Sequence, residues 1–296
     1  MLVEIAPPIF LVEAENRGQF PFSHSILIQD EVTALIDTGC GVPRLRQLKE
    51  EYKPDLVINS HAHPDHISGN WLFSGLPLWV PRQSFDYCGR IREMSERFTG
   101  SKALAQKWRE YIREATDFRD APPTDSYEDG HRFRLGSVEL WAIHCPGHTS
   151  DSYCLLEPRR GILFSFDIEL SSFGPWYGHP DSDIAQFEAS IRRVRDLKPQ
   201  IIVSSHVGII EDRIEERLQR YLDFFAQRDR RILEFLSQER RLEEMVEQPL
   251  IYHDFPYAPE LLRLWHKNML QKHLNRLERR GLVRRTQEGY VRNSGE

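Results

Sequence analysis

Residues 60–66 read Ser-His-Ala-His-Pro-Asp-His, and no other stretch constrains the chain as much. His61, His63, Asp65 and His66 follow directly on a short apolar run, Asp55-Leu56-Val57-Ile58-Asn59. That run reads as a buried strand entering a loop. In an extended backbone residues two apart point the same way, so His61 and His63 face one point. Pro64 turns the chain, and Asp65 and His66 then face a second point close to the first. Neutral imidazoles and a carboxylate are ligands for zinc, iron or manganese. Two adjacent ligand groups imply two metals. Packing alone rarely sets four such side chains at the end of an apolar strand.

Further stretches have the same form. Thr33-Ala34-Leu35-Ile36 leads into Asp37-Thr38-Gly39, and the strand-like Val138 to His144 leads into Cys145-Pro146-Gly147-His148-Thr149. Asp167 follows the apolar run Gly161 to Phe166, and His206 ends Ile201-Ile202-Val203-Ser204-Ser205. With the H-x-H-x-D-H stretch, these motifs resemble the metallo-β-lactamase fold superfamily, in the right order over about residues 9–210. The resemblance implies that His61, His63 and His148 hold a first metal. It implies that Asp65, His66 and His206 hold a second, and that Asp167 bridges the two. Asp37 is then the residue that braces the ligand loop. The implied fold class is α+β, a four-layer αββα sandwich. Strands alternating with helices, then strands again, suit two sheets face to face with helices outside.

The ligand set narrows the resemblance. True β-lactamases of this fold typically carry Cys where Asp167 stands, and its flavo-diiron reductases carry Glu where His63 stands. The set here resembles that of hydroxyacylglutathione hydrolases, lactonases and the nuclease branches. Two positions depart from the family pattern. Phe166 stands where Gly usually precedes the bridging Asp, and Ser205-His206-Val207 replaces the usual Gly-His-Gly. A larger side chain at either place is expected to reshape the pocket.

At 296 residues the chain has room for one large or two ordinary domains. A net charge of −6 makes no global demand for nucleic acid. No run of eighteen apolar residues exists, so no membrane span is expected. Met1 to Pro8 has no basic start and no long apolar stretch, so no secretory signal is expected. Cys40, Cys88, Cys145 and Cys154 show no paired spacing, which suits reduced thiols in the cytoplasm.

Between the motifs, residues 82–120 carry no strand signal. Arg90 to Arg97 and Lys102 to Asp117 read as helices, with Trp108, Tyr111 and Ile112 on one side. Their place in the chain resembles the family's variable insertion, which overhangs the metal site. The competing reading is an outer helix pair whose rings are core. The loop from Ser171 to Pro180 joins Asp167 to a helix at Ile184 to Leu197, capped by Ser182 or Asp183. Long loops beside metal sites shape pockets, and Trp176, Tyr177 and His179 are expected to touch substrate. His144 is expected to be a packed or bracing histidine.

From Glu211 the composition shifts to helix formers, and residues 213–247 read as helix. Residues 259–280 read as two short helical stretches. Gly281 to Arg285 and Gly289 to Arg292 read as a hairpin. Helices followed by a short ribbon resemble a winged-helix module. Residues 267–281 are similar to the C-terminal domain of a family branch that includes a mitochondrial endoribonuclease and many bacterial hydrolases. The expected domains are residues 1–225, catalytic, and 226–296, winged-helix-like. From residue 260 onward nine Lys and Arg face four acids. Lys272, Arg276, Arg279 and Arg280 share a helix face. The basic face is expected to meet either RNA or an acidic patch on a second copy in a homo-oligomer, the latter favoured. On that reading, removing residues 248–296 changes the oligomeric state and leaves ester turnover within about tenfold.

The expected activity is that of a binuclear metal-dependent hydrolase of a small ester, thioester or lactone. Two divalent ions, zinc first with iron and manganese compatible, generate a bridging hydroxide without a protein nucleophile. Asp65 is expected to orient that hydroxide as well as bind metal. No Ser-His-Asp or Cys-His arrangement competes. The alternative is a metal-dependent endoribonuclease or other nucleic-acid phosphodiesterase whose C-terminal domain contacts RNA.

Overall fold

The computed structural model describes residues 1–293. Seven strands form a first sheet in chain order: β1 Leu2–Ala6, β2 Ile9–Val12, β3 Ser25–Gln29, β4 Thr33–Ile36, β5 Leu56–Ile58, β6 Leu78–Pro81 and β7 Asp125–Tyr127. Pairing is antiparallel up to β4 and parallel from β4 to β7. Six strands form the second sheet: β8 Arg132–Arg134, β9 Glu139–His144, β10 Tyr153–Glu157, β11 Ile162–Phe166, β12 Ile201–Ser204 and β13 Gly208–Ile210. Here only β11 and β12 run parallel.

Alternation along the strands sets the layers. Ile26 and Ile28 of β3 join Ile162 and Phe164 of β11 in a core between the sheets. Leu27 lies on the outer side of β3, under helices α1 Val42–Glu51, α3 Ile91–Thr99 and α4 Lys102–Thr116. (Short α2, Pro64–Ile67, lies in the ligand loop.) Leu163 lies on the outer side of β11, under α5 Ile184–Asp196 and α6 Ile214–Phe235. Three apolar layers between four structural ones give the αββα sandwich. Asp183 caps α5 by accepting the Gln186 N–H at 2.8 Å.

The C-terminal part differs from expectation in three ways. First, α6 ends at Phe235 rather than continuing to residue 247. Backbone bonds between Arg240 and Tyr290 hold the next segment extended, before α7 Leu242–Val246. Second, residues 259–280 form one helix, α8 Pro259–Arg279, because no Gly or Pro interrupts them after the starting proline. Third, α6 runs unbroken across 225/226, so no break in secondary structure marks that boundary. The hairpin of β14 Val283–Arg285 and β15 Tyr290–Arg292 forms as read.

Helix α8 packs two ways. Leu270, Leu274 and Leu277 join the core under α5 and α6, while Leu261, Leu262 and Trp265 join the core under α3 and α4. Its basic groups serve that packing. Arg276 forms ion pairs with Glu188 at 2.9 Å and Asp229 at 3.1 Å, and Arg280 reaches Asp229 at 3.2 Å. Lys272 donates to the His179 carbonyl at 2.8 Å. Arg276 and Arg280 thus find acidic partners within the same chain. Among the described residues no helix is long and apolar enough to cross a membrane. The four cysteines are unpaired and buried.

Candidate active site

Each candidate ligand stands just past a strand end, and all these ends lie at one edge of the sandwich. Asp37 follows β4, the His61–His66 loop follows β5, His148 follows β9, Asp167 follows β11 and His206 follows β12. The Asp-Thr-Gly turn grips the ligand loop. Asp37 accepts the Ser60 N–H at 2.8 Å, the Ser60 hydroxyl at 2.7 Å and His66 Nδ1–H at 2.7 Å. A Cβ on Gly39 would lie 1.6 Å from the Asp65 carbonyl oxygen, so only glycine permits this approach.

The donor atoms converge in two groups. His61, His63, His148 and Asp167 each offer one atom within 4.8 Å of the others, and Asp65, His66 and His206 do the same. In the first group His148 Nε2 lies 2.9 Å from His63 Nδ1 and 3.0 Å from Asp167 Oδ2, with His61 Nε2 3.7 Å from that oxygen. In the second, His206 Nε2 lies 3.5 Å from Asp65 Oδ2, and His66 Nε2 lies 3.7 Å from it. Asp167 Oδ1 faces this second group, 3.0 Å from His66 Nε2 and 3.5 Å from His206 Nε2. The two oxygens of one carboxylate thus face different groups. Donors tetrahedrally placed about 2.1 Å from an ion lie about 3.4 Å apart. The observed spacings fit that figure. His61 Nε2, His66 Nε2 and Asp167 Oδ1 are buried without a hydrogen-bond partner, an arrangement that cations resolve.

The outward nitrogens are fixed. His148 Nδ1–H donates to the Trp176 carbonyl at 2.9 Å, and His206 Nδ1–H to the Gly18 carbonyl at 2.6 Å. His63 turns Nδ1 to the cluster, so its Nε2–H donates to His179 Nδ1 at 3.0 Å. Asp151 steadies the loop between His61 and His63 by accepting the Ala62 N–H at 2.9 Å. Such partners orient ligand rings and select their tautomers.

Electrostatics divide the cluster. Burial, reinforced by neighbouring imidazoles, pushes His61 and His63 well below the ordinary histidine range, so both are neutral donors. Burial also opposes charge on Asp167, but His66, His148 and His206 outweigh it and hold the carboxyl well below its usual range. At His206 burial opposes the charge, but Asp167, Glu169 and Asp65 together outweigh it and raise the group to about 10. Against burial, Asp167 with Asp37 and Asp65 raises His66, and Asp167 raises His148 as well.

A cavity of about 560 Å³ opens over the donors. His63, Asp65, His148, Asp167 and His206 form part of its wall. Trp176 and His179 line it. Tyr177 does not. It is fully buried and points away, bonding His273 Nε2 at 2.7 Å and Arg228 at 2.9 Å. Neighbours on an extended loop face opposite ways, and that parity separates Tyr177 from Trp176. Phe166 takes a left-handed backbone, φ +49°, which explains why glycine suits this place. Its ring enters the core between the sheets, so it does not reshape the cavity. Val207 does line the cavity.

The insertion at 82–120 packs as an outer helix pair and also reaches the cavity. Trp108 and Ile112 are buried in the outer core, and both also line the cavity. Phe98 stacks on His179 with ring centroids 4.2 Å apart. Sequence reading missed Phe20, Glu169, Tyr252, Tyr257, Leu262 and Trp265, all in the wall. Glu169 was signalled by its spacing of two from Asp167. The others carry no local signal: Phe20 comes from the loop before β3, Tyr252 and Tyr257 from the segment leading into α8, and Leu262 and Trp265 from α8 itself. His144 is partly buried, and its Nε2 pairs with the Ser150 carbonyl at 2.9 Å.

Comparison with known proteins matches residues 18–206 to the metallo-beta-lactamase superfamily. The chain belongs to that superfamily. The family and the donor set together make it a metal-dependent hydrolase. The chain is 26% identical over 266 residues to "Beta-lactamase-like protein 2 homolog" of Drosophila melanogaster, covering 84% of this chain and 80% of that protein. It is 28% identical over 187 residues to "Acyl-coenzyme A thioesterase MBLAC2" of Homo sapiens, covering 56% of this chain and 64% of that one. It is 22% identical over 249 residues to "Atrochrysone carboxyl ACP thioesterase" of Aspergillus fumigatus, covering 80% and 67%. A metallo-beta-lactamase family protein from Thermus thermophilus shares the fold with TM-score 0.74 and 20% identity, covering 98% of this chain and all of that one.

Proposed function

We propose that this superfamily member hydrolyses thioesters at a binuclear metal site. The observation that carries the reading is the double facing of Asp167, with one oxygen toward each donor group. His61, His63 and His148 would hold one divalent ion, and Asp65, His66 and His206 the other. Zinc comes first by ligand type, with iron and manganese compatible. Bound there, the ions supply Lewis acidity that acidifies water and polarises a carbonyl oxygen. Asp65 belongs to the second donor group and also lines the cavity, so its carboxylate is placed to orient an attacking water and accept its proton. Trp176 and His179 bound the space where the acyl carbon would sit.

The thioester preference rests on relatives named as thioesterases and on the lining. The hydroxyacylglutathione hydrolase-like ligand set agrees with it. Among the described residues no Lys or Arg lines the cavity, which leaves a nucleic-acid phosphodiester without a cationic partner at the point of attack. That ranks phosphodiester cleavage second. Residues 226–296 we read as a winged-helix-like module that closes the cavity, and the buried free thiols as suited to a reducing cytoplasm. Elemental analysis joined to a substrate panel tests the reading. Two ions per chain and turnover of thioesters are expected. One ion or none, or turnover confined to phosphodiesters, would refute it.

A further inference from the structure

Resting on the thioesterase reading, we propose that the cavity selects a bulky, uncharged, ring-bearing acyl group, and that the C-terminal helix makes this selection.

The wall is rich in aromatic rings, and among the described residues it holds no Lys or Arg. Phe20, Trp108, Phe173, Trp176, Tyr252, Tyr257 and Trp265 all line it. Trp176 and Trp265 meet edge to face, with centroids 5.7 Å apart. Phe20 and Tyr257 lie nearly parallel 6.1 Å apart, and Tyr111, which does not line the cavity, stacks on both at 6.2 Å. Ring faces and edges favour planar rings through offset and edge-on contacts. A volume of about 560 Å³ suits a ligand of drug size, and an acetyl or lactoyl group would leave most of it unfilled.

Charge sharpens the choice. Besides the candidate ligands Asp65 and Asp167, the wall holds Glu169, and among the described residues no Lys or Arg faces it. Away from the donor groups, an acyl group with its own carboxylate would meet Glu169 and aromatic rings but no Lys or Arg. Phosphates on the thiol carrier would likewise find no Lys or Arg in the wall, which places them outside the cavity.

The C-terminal segment sets the shape. Tyr252, Tyr257, Leu262 and Trp265 come from it, and the motif-bearing part of the chain supplies none of them. Two contacts fix this wall. Asn268 donates to the Gly178 carbonyl at 2.8 Å, and Tyr252 OH accepts Trp176 Nε1–H at 2.5 Å.

The test uses full-length, metal-loaded protein and N-acetylcysteamine thioesters, whose carrier is small and uncharged. The panel is 2-naphthoyl, decanoyl, acetyl and succinyl. Expected is the order naphthoyl, decanoyl, then acetyl and succinyl, with kcat/KM for naphthoyl at least 100-fold above succinyl. Trp265→Ala, at unchanged metal content, should cut the naphthoyl-to-acetyl ratio at least tenfold, and Trp265→Phe should restore part of it. Acetyl or succinyl equal to naphthoyl, or decanoyl ahead of naphthoyl, would overturn the proposal. Calorimetry with the non-hydrolysable amides of the same acids separates the two readings. Tight naphthamide binding without hydrolysis of any thioester would sink the thioesterase reading and keep the pocket assignment. Hydrolysis without acyl discrimination would do the reverse.

Discussion

Asp167 carries the single charge that faces both donor groups, so its exchange is the sharpest test at the level of one residue. Asp167→Asn keeps size and shape but cannot balance two dications. Metal content of the variant should fall below one ion per chain, and activity by more than 100-fold; two retained ions would show that another group bridges. Protons give a second test. His206, raised to about 10 in the metal-free cluster, is charged at neutral pH and must lose its proton to become a ligand. Metal binding near pH 7 should therefore release protons, and affinity should weaken as pH falls. Titration calorimetry in buffers of different ionisation enthalpy reads this directly, and a buffer-independent enthalpy would contradict it. The donors were legible in the sequence because each ends an apolar run. Tyr177 was misread because an aromatic beside two site residues looks alike whichever way the loop faces.

The loop Ser171 to Pro180 shows what a single element does here. It presents the Trp176 carbonyl to His148 and the His179 ring to His63. It has no regular hydrogen bonding of its own, so α6 and α8 must hold it. Arg228, 2% exposed, donates to the carbonyls of Pro175 and Phe173 and to the Tyr177 hydroxyl. His273, kept neutral mainly by burial, takes the same hydroxyl on Nε2 and meets Asp229 through Nδ1 at 2.6 Å. Loss of such outer support lowers metal affinity about 10- to 100-fold. Arg228→Met should show that loss in chelator competition while the fold remains by circular dichroism; unchanged affinity would mean that the loop holds itself. Nothing local in the sequence disclosed this clamp. Arg228 and Asp229 read as two more polar residues on an amphipathic helix, and only its packing against α8 buries them.

For the whole molecule, the strand order and layers followed from alternation and from the motifs, whereas the docking of α8 did not. Its basic residues looked like a face for another molecule, yet Arg276 sits between Glu188 and Asp229 of its own chain. Arg276→Glu would set a third acid between two others. Uncompensated charges at buried pairs cost about 3–5 kcal/mol. A matching loss in denaturant midpoint is expected, with the mass in light scattering equal to that of the parent; a changed mass with full stability would restore the intermolecular reading. Removing residues 248–296 would open the cavity rather than spare it, since Tyr252 and Trp265 leave with them. The same arrangement fixes an order of events during translation. All seven candidate ligands are made by residue 206, and Trp265 follows roughly three to twelve seconds later at about 5–20 residues per second. Through that interval the nascent site stands open to the ions around it. Once α8 seats, it closes over them, and ion exchange in the finished protein should be slower than capture on the ribosome.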